Sequence, residues 1–143
     1  MAMKGDGAME PSEYTALSKK LAGIIVSAYG KTPDAWDDLE EQTLSAFTFG
    51  AHRSFSVDAG VAEWQSRIAM TEIFMDVFGF PDEMACSALD YLTECLEKPE
   101  TDAVVNLLIH SGDHGAGLLS EPEELGRQLR ELVYVLGQKL QEE

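Results

Sequence analysis

Residues 120–140 have the sequence SEPEELGRQLRELVYVLGQKL, in which apolar side chains recur every three or four positions. This spacing places them on one face of a helix. The members of the stripe are Leu125, Leu129, Leu132, Val133, Leu136 and Leu140. Ser120 and Glu123 form the S-x-x-E pattern that caps a helix start. The sequence therefore predicts a final amphipathic helix whose leucines pack against the rest of the protein.

Five earlier segments show the same spacing, and each is bounded by residues that start or stop helices. Their predicted limits are Pro11 to Gly30, Thr32 to about Phe55, Asp58 to Gly79, Pro81 to Pro99, and Thr101 to Ile109, after which the glycines of SGDHGAG (111–117) break the helix. No alternating pattern typical of strands competes with them. The sequence predicts an all-α, single-domain bundle of about six helices over residues 10–143, preceded by a disordered lead-in of residues 1–9.

The apolar positions also predict which faces are buried. In the third helix the apolar stripe is expected to face the core, and its members are Val61, Trp64, Ile68, Ile73 or Phe74, and Val77. The fifth helix is apolar on most sides, so it is expected to be the most buried element. Cys86 and Cys95 lie nine residues apart on the fourth helix and are predicted to point to opposite sides, where they cannot pair.

The charge balance limits the classes of partner. The chain has 26 acidic and 10 basic residues, a net charge of −16. Residues 34–102 hold 16 of the acidic residues and only three basic ones, so this part alone carries −13. Such a field repels nucleic acids and anionic membranes and attracts basic proteins. The first ten residues lack a secretory pattern and the longest apolar stretch, residues 103–109, is far shorter than the roughly 20 residues of a membrane span, so we expect a cytoplasmic protein.

Motifs for catalysis or metal binding are weak. His110 and His114 have the four-residue spacing of helical metal ligands, but Gly112 lies between them and is expected to end the helix, leaving His110 to cap carbonyl groups. The SGDHGAG segment has neither the lysine followed by serine or threonine of a phosphate-binding loop nor a predicted strand before it. We therefore expect no metal, no cofactor, no catalytic residue and no enzyme activity.

The acidic cluster at the start of the second helix is the candidate partner-binding site. Thr32 and Pro33 are predicted to start this helix as its cap and first residue. The candidate residues are Asp34, Trp36, Asp37, Asp38, Glu40 and Glu41. They form either an acidic docking face with Trp36 as its anchor, or a solvated helix start with Trp36 in the core.

Three stretches carry a family resemblance. They are FGAHRSF (49–55), IFMDVFGFP (73–81) and NLLIHSGDHG (106–115). Together they resemble small all-α immunity proteins of bacterial polymorphic-toxin systems, in particular the immunity family numbered forty-eight, whose I-I-H-x-G pattern falls on Leu108, Ile109, His110 and Gly112. The resemblance implies a cytoplasmic antidote that binds a cognate toxin domain and blocks its active site or substrate entry, without catalytic residues of its own.

Three classes of function remain open at this point. They are an inhibitor of a toxin with a basic surface or cleft, an acidic adaptor or secretion-related chaperone, and a helical enzyme with an unrecognised site. A toxin gene next to this one would favour the first class, and neighbouring secretion or regulatory genes the second. An enzyme should show a deep pocket with convergent polar groups.

Overall fold

The computed structural model describes residues 10–142, with side chains as far as residue 139. This part of the chain contains six α-helices and no strand. The helices are α1 (Pro11–Tyr29), α2 (Asp38–Ala59), α3 (Glu63–Glu72), α4 (Asp82–Glu97), α5 (Ala103–Gly115) and α6 (Pro122–Glu142). The predicted all-α bundle is confirmed. The predicted lead-in of residues 1–9 and the side chain of Leu140 lie outside the described part.

Helices α2 and α5 make the most extensive helix–helix contact, and two glycines allow it. A Cβ atom added at Gly50 would lie 1.8 Å from the carbonyl oxygen of Ile109, and one added at Gly112 would lie 1.9 Å from that of Phe47. The backbones can approach this closely only because neither position has a side chain. The prediction that the SGDHGAG glycines break the helix is wrong, since α5 continues through Gly112 to Gly115, and His110 consequently caps no helix end.

The core lies on both sides of this helix pair. One cluster joins α4, α5 and the phenylalanines that follow α3, namely Phe74, Phe78 and Phe80. The other joins α1, α2 and α6, where Leu125 and Leu129 are fully buried. Leu132 packs against both clusters, so the predicted stripe of the last helix is confirmed as a packing face.

The start of α2 differs from the prediction. Thr32 and Pro33 begin only a single 3₁₀ turn, Pro33–Ala35, and the helix itself starts at Asp38. Asp37 is the cap: its Oδ1 accepts from the backbone N–H of Glu40 at 2.8 Å, while Glu40 Oε1 accepts from the backbone N–H of Asp37 at 2.9 Å. This reciprocal capping box outweighs the Thr-Pro signal because it satisfies two backbone donors that the helix start leaves free.

The third helix shows the largest error of orientation. The second helix continues past Phe55 to Ala59, so Asp58 lies inside it and caps nothing, and α3 begins at Glu63. The side chains of Trp64 and Ile68 are 64% and 51% exposed, so the prediction that they enter the core is wrong. Ala69 and Met70 face inward instead, whereas Ile73 and Phe74, further along the predicted stripe, are buried as expected. Large apolar side chains lie on both faces of this helix, and spacing alone does not distinguish the face that packs.

Two smaller corrections concern α5 and α6. Val105, Leu108 and Ile109 are buried, but Leu107 is 61% exposed, so α5 is buried on one face only. The last helix begins at Pro122, after a 3₁₀ turn (Ala116–Ser120), so Ser120 and Glu123 do not form its capping box. Pro122 is favourable as the first helical residue, and the helix therefore starts one residue later than the S-x-x-E pattern predicts.

The cysteine prediction is confirmed. Cys86 is exposed and Cys95 is buried on the opposite side of α4, and both are free thiols.

Candidate partner-binding site

The acidic segment, residues 34–41, joins the 3₁₀ turn to the first turn of α2. Asp34, Asp37 and Asp38 are exposed, and Glu41 is half-buried. Asp34 Oδ1 accepts a hydrogen bond from Thr32 Oγ1 at 2.6 Å, and Asp37 is the helix cap. These contacts fix the backbone that carries the carboxylates, and the positive end of the α2 dipole stabilises their charge.

Glu40 differs from the other acidic residues of the segment because it is only 4% exposed. Its two carboxylate oxygens accept hydrogen bonds from Lys31 Nζ at 2.8 and 2.9 Å, and the hydroxyl of Tyr29 also donates to it. Burial raises the pKa of Glu40, but the hydrogen bonds from Lys31, Tyr29 and the Asp37 backbone outweigh burial and leave that pKa below its usual value. Glu40 therefore ties α1 to α2 and does not face a partner.

Trp36 is neither a fully exposed interface anchor nor a fully buried core residue, the two alternatives that the sequence left open. Its indole is half-buried, and its Nε1–H donates to the carbonyl oxygen of Lys31 at 2.9 Å. The ring stands edge-on to Tyr29 and to Phe78, with centroids 6.5 and 5.1 Å away. These contacts make Trp36 part of the wall that supports the acidic segment, although the side chain remains partly exposed.

A cavity of about 280 Å³ adjoins the acidic segment. It lies between α2, α4 and the start of α5, and it is lined by Asp38, Glu41, Gln42, Ser45, Phe80, Met84, Ala88, Tyr91, Leu92 and Val105. We call it the acidic cavity. Its lining holds two carboxylates and no basic residue. Burial, and then the negative charge of Asp38, raise the pKa of Glu41.

A second cavity of about 520 Å³ lies between α2, α3 and α4. Its lining includes two acidic residues, Glu63 and Glu97, and two basic ones, Arg53 and Arg67. Arg67 is engaged with α4, since its guanidinium donates to Asp90 at 3.0 Å and to Thr93 at 3.2 Å. The two acidic and two basic side chains offset one another, and we call this second cavity the balanced cavity.

Beneath the balanced cavity lies a buried polar network that the sequence analysis missed. His52 Nε2 lies 2.8 Å from Ser18 Oγ and 3.3 Å from the hydroxyl of Tyr14, which is 2.6 Å from Ser56 Oγ. Burial lowers the pKa of His52 to about 4, so its imidazole is neutral at pH 7. The network satisfies polar groups between α1 and α2, and no carboxylate within residues 10–142 orients the imidazole as in a catalytic triad. Its only sequence signal is a histidine inside an apolar helix face.

His110 and His114 are both exposed on α5. Over residues 10–142, no group of three or more His, Cys, Asp or Glu side chains is arranged to hold a metal ion. No helix in the same range is both long and apolar enough to cross a membrane.

Comparison with known proteins places the chain in a family. No curated protein and no solved structure matches it. The family model of immunity protein 48 matches residues 15–130, a range that runs from α1 into α6 and includes the acidic segment and the α2–α5 contact. Because this match covers well over half of the sequence, the chain belongs to the immunity protein 48 family.

Proposed function

We propose that this chain is a cytoplasmic antidote that binds a cognate toxin domain and neutralises it by covering the active site or the substrate cleft. The observation that carries the proposal is membership of an immunity family, which implies a toxin partner and a role without catalysis. Neutralisation by occlusion requires a rigid surface rather than reactive groups.

The acidic segment supports a basic partner. Its three exposed aspartates, Asp34, Asp37 and Asp38, and the half-buried Glu41 are held on a capped backbone, and the surrounding residues 34–102 carry −13. A toxin that acts on nucleic acids or nucleotides presents a basic cleft, to which such a surface is complementary. Opposite fields also speed association, which favours an antidote that must reach its toxin quickly.

Co-expression tests the proposed function. The toxin domain encoded beside this gene is expressed with and without the chain, and growth and co-purification are measured. We expect the chain to restore growth and to co-purify with the toxin domain. If it neither restores growth nor forms a complex, the proposed function is wrong.

An amide variant tests the acidic segment as the interface. It combines Asp34→Asn, Asp37→Asn, Asp38→Asn and Glu41→Gln, and it leaves Glu40 intact because that carboxylate is buried in an ion pair. At low salt we expect association with the toxin to slow about tenfold or more. The matched control removes the same charge elsewhere, with Asp58→Asn, Glu63→Gln, Glu97→Gln and Glu100→Gln. Equal association rates for the two variants would remove the acidic segment from the interface.

A further inference from the structure

The acidic cavity has two chemically different walls. Asp38, Glu41, Gln42 and Ser45 are spaced three and four residues apart, so one face of α2 turns all four side chains toward the cavity. The opposite wall is apolar and comes from α4 and from Phe80, two residues before that helix, with Met84 and Leu92 as the main contributions of α4. The cavity therefore has carboxylates on one wall and hydrocarbon on the other.

Two features of this cavity lack a partner. Asp38 and Glu41 form no ion pair within residues 10–142. Ser45 is only 7% exposed, and its Oγ has no hydrogen-bond partner among the described residues. A buried hydroxyl without a partner destabilises the fold, and two neighbouring carboxylates repel each other. A cationic hydrogen-bond donor would relieve both.

The size of the cavity restricts the ligand. At about 280 Å³ it lies below the range of about 300–1,000 Å³ that is typical of drug-sized ligands. A single long side chain fits this scale better than a cofactor does. Lysine and arginine combine an apolar stem, which packs along hydrocarbon walls, with a cationic end that donates hydrogen bonds.

We propose that the acidic cavity is a socket for one lysine or arginine side chain presented by the toxin. The stem lies along Phe80, Met84 and Leu92, and the cationic end donates to the carboxylates of Asp38 and Glu41. Ser45 Oγ is closed to solvent in the free protein, so it joins them as an acceptor after its side chain changes rotamer. The identity of the partner rests on the proposed function, whereas the chemistry of the socket does not.

Titration with amino-acid mimics tests the socket without any toxin. The protein is titrated with the Nα-acetyl methylamides of lysine, arginine and norleucine, and backbone chemical shifts are followed by NMR. We expect a saturable response to the lysine or arginine mimic, with a dissociation constant on the order of 1 mM, centred on Ser45, Met84 and Tyr91. Norleucine has the stem without the charge, so its response should be at least about tenfold weaker.

Charge-matched variants locate the binding. The double substitution Asp38→Asn with Glu41→Gln should weaken binding of the cationic mimic about tenfold or more. Glu63→Gln with Glu97→Gln removes the same charge from the balanced cavity and should leave binding unchanged. Circular dichroism checks that both variants are folded. The proposal is overturned by the absence of a saturable response, by equal binding of norleucine, or by equal weakening in both variants.

The outcomes separate the two proposals. Toxin binding with no response to the cationic mimics rejects the socket and leaves the antidote function standing. A localised response without toxin binding rejects the antidote function and leaves the socket standing.

Discussion

Glu40 is a buried charge that holds two helices together, although the other carboxylates of its cluster are exposed or half-buried. Lys31 and Tyr29 both bind its carboxylate, and these bonds lower its pKa in the folded state. A carboxylate whose pKa is lower in the folded than in the unfolded protein stabilises the fold above the unfolded value, and this contribution is lost as the pH falls through the folded value.

The substitution Glu40→Gln therefore has a pH-dependent effect. At pH 7 we expect it to lower the free energy of unfolding by about 1–3 kcal/mol, because it leaves Lys31 without its counter-charge. The difference from the wild type should shrink as the pH falls below the unfolded pKa of 4.5. Urea unfolding between pH 7 and pH 3 measures it, and Asp38→Asn, at an exposed and unpaired site, serves as the control. A difference that stays constant down to pH 3 would contradict the ion-pair explanation.

Individual residues also show what the sequence could and could not reveal. Five carboxylates in eight positions correctly mark an acidic surface, but nothing in the spacing distinguishes Glu40, which turns inward, from Glu41, which lines a cavity. The difference arises from Lys31 and Tyr29, which the preceding turn brings against Glu40. Likewise Trp36 and Trp64 each occupy an apolar stripe, yet Trp36 packs on Phe78 while Trp64 faces solvent. Tertiary neighbours decide such cases.

At the scale of elements, the existence of the six helices follows from the sequence, but only some of their boundaries do. Gly30, which ends α1 with a positive φ of 88°, and Pro81, which precedes α4, lie where the sequence indicates. The error at SGDHGAG has a physical reason: glycine disfavours an isolated helix by about 1 kcal/mol, but here Gly112 permits backbone contact with α2. A sequence does not show that a glycine's partner lies on another helix.

Alanine substitutions test this contact. Gly50→Ala and Gly112→Ala should each lower the free energy of unfolding by at least about 3 kcal/mol, because the new Cβ meets backbone atoms that cannot rotate away. Gly23→Ala is the matched control: it lies within α1 with open space around its Cβ position, so it should stabilise the protein by about 0.5–1 kcal/mol. Denaturant unfolding measures all three. If both substitutions lower the free energy of unfolding by less than about 1 kcal/mol, the close contact between α2 and α5 contributes little to stability.

For the whole molecule, the net charge of −16 sets a general repulsion within the fold. Salt screens such repulsion over about 10 Å at 0.1 M. We expect raising NaCl from 10 to about 300 mM to stabilise the free protein by about 1 kcal/mol, or about 4 °C in melting temperature. The melting temperature should rise less with NaCl in the variant that has four fewer negative charges. Its substitutions are Asp58→Asn, Glu63→Gln, Glu97→Gln and Glu100→Gln. A fall in melting temperature would mean that ion pairs such as Lys31–Glu40 outweigh the repulsion.

The glycine contact between α2 and α5 also orders events during synthesis of the chain. Gly112 follows Gly50 by about 60 residues, which a ribosome adds in about 3–12 s. Throughout that interval the face of α2 around Phe47 and Ala51 has no α5 to cover it. The nascent chain therefore carries this apolar surface uncovered for seconds, and such a surface is of the kind that chaperones bind during synthesis.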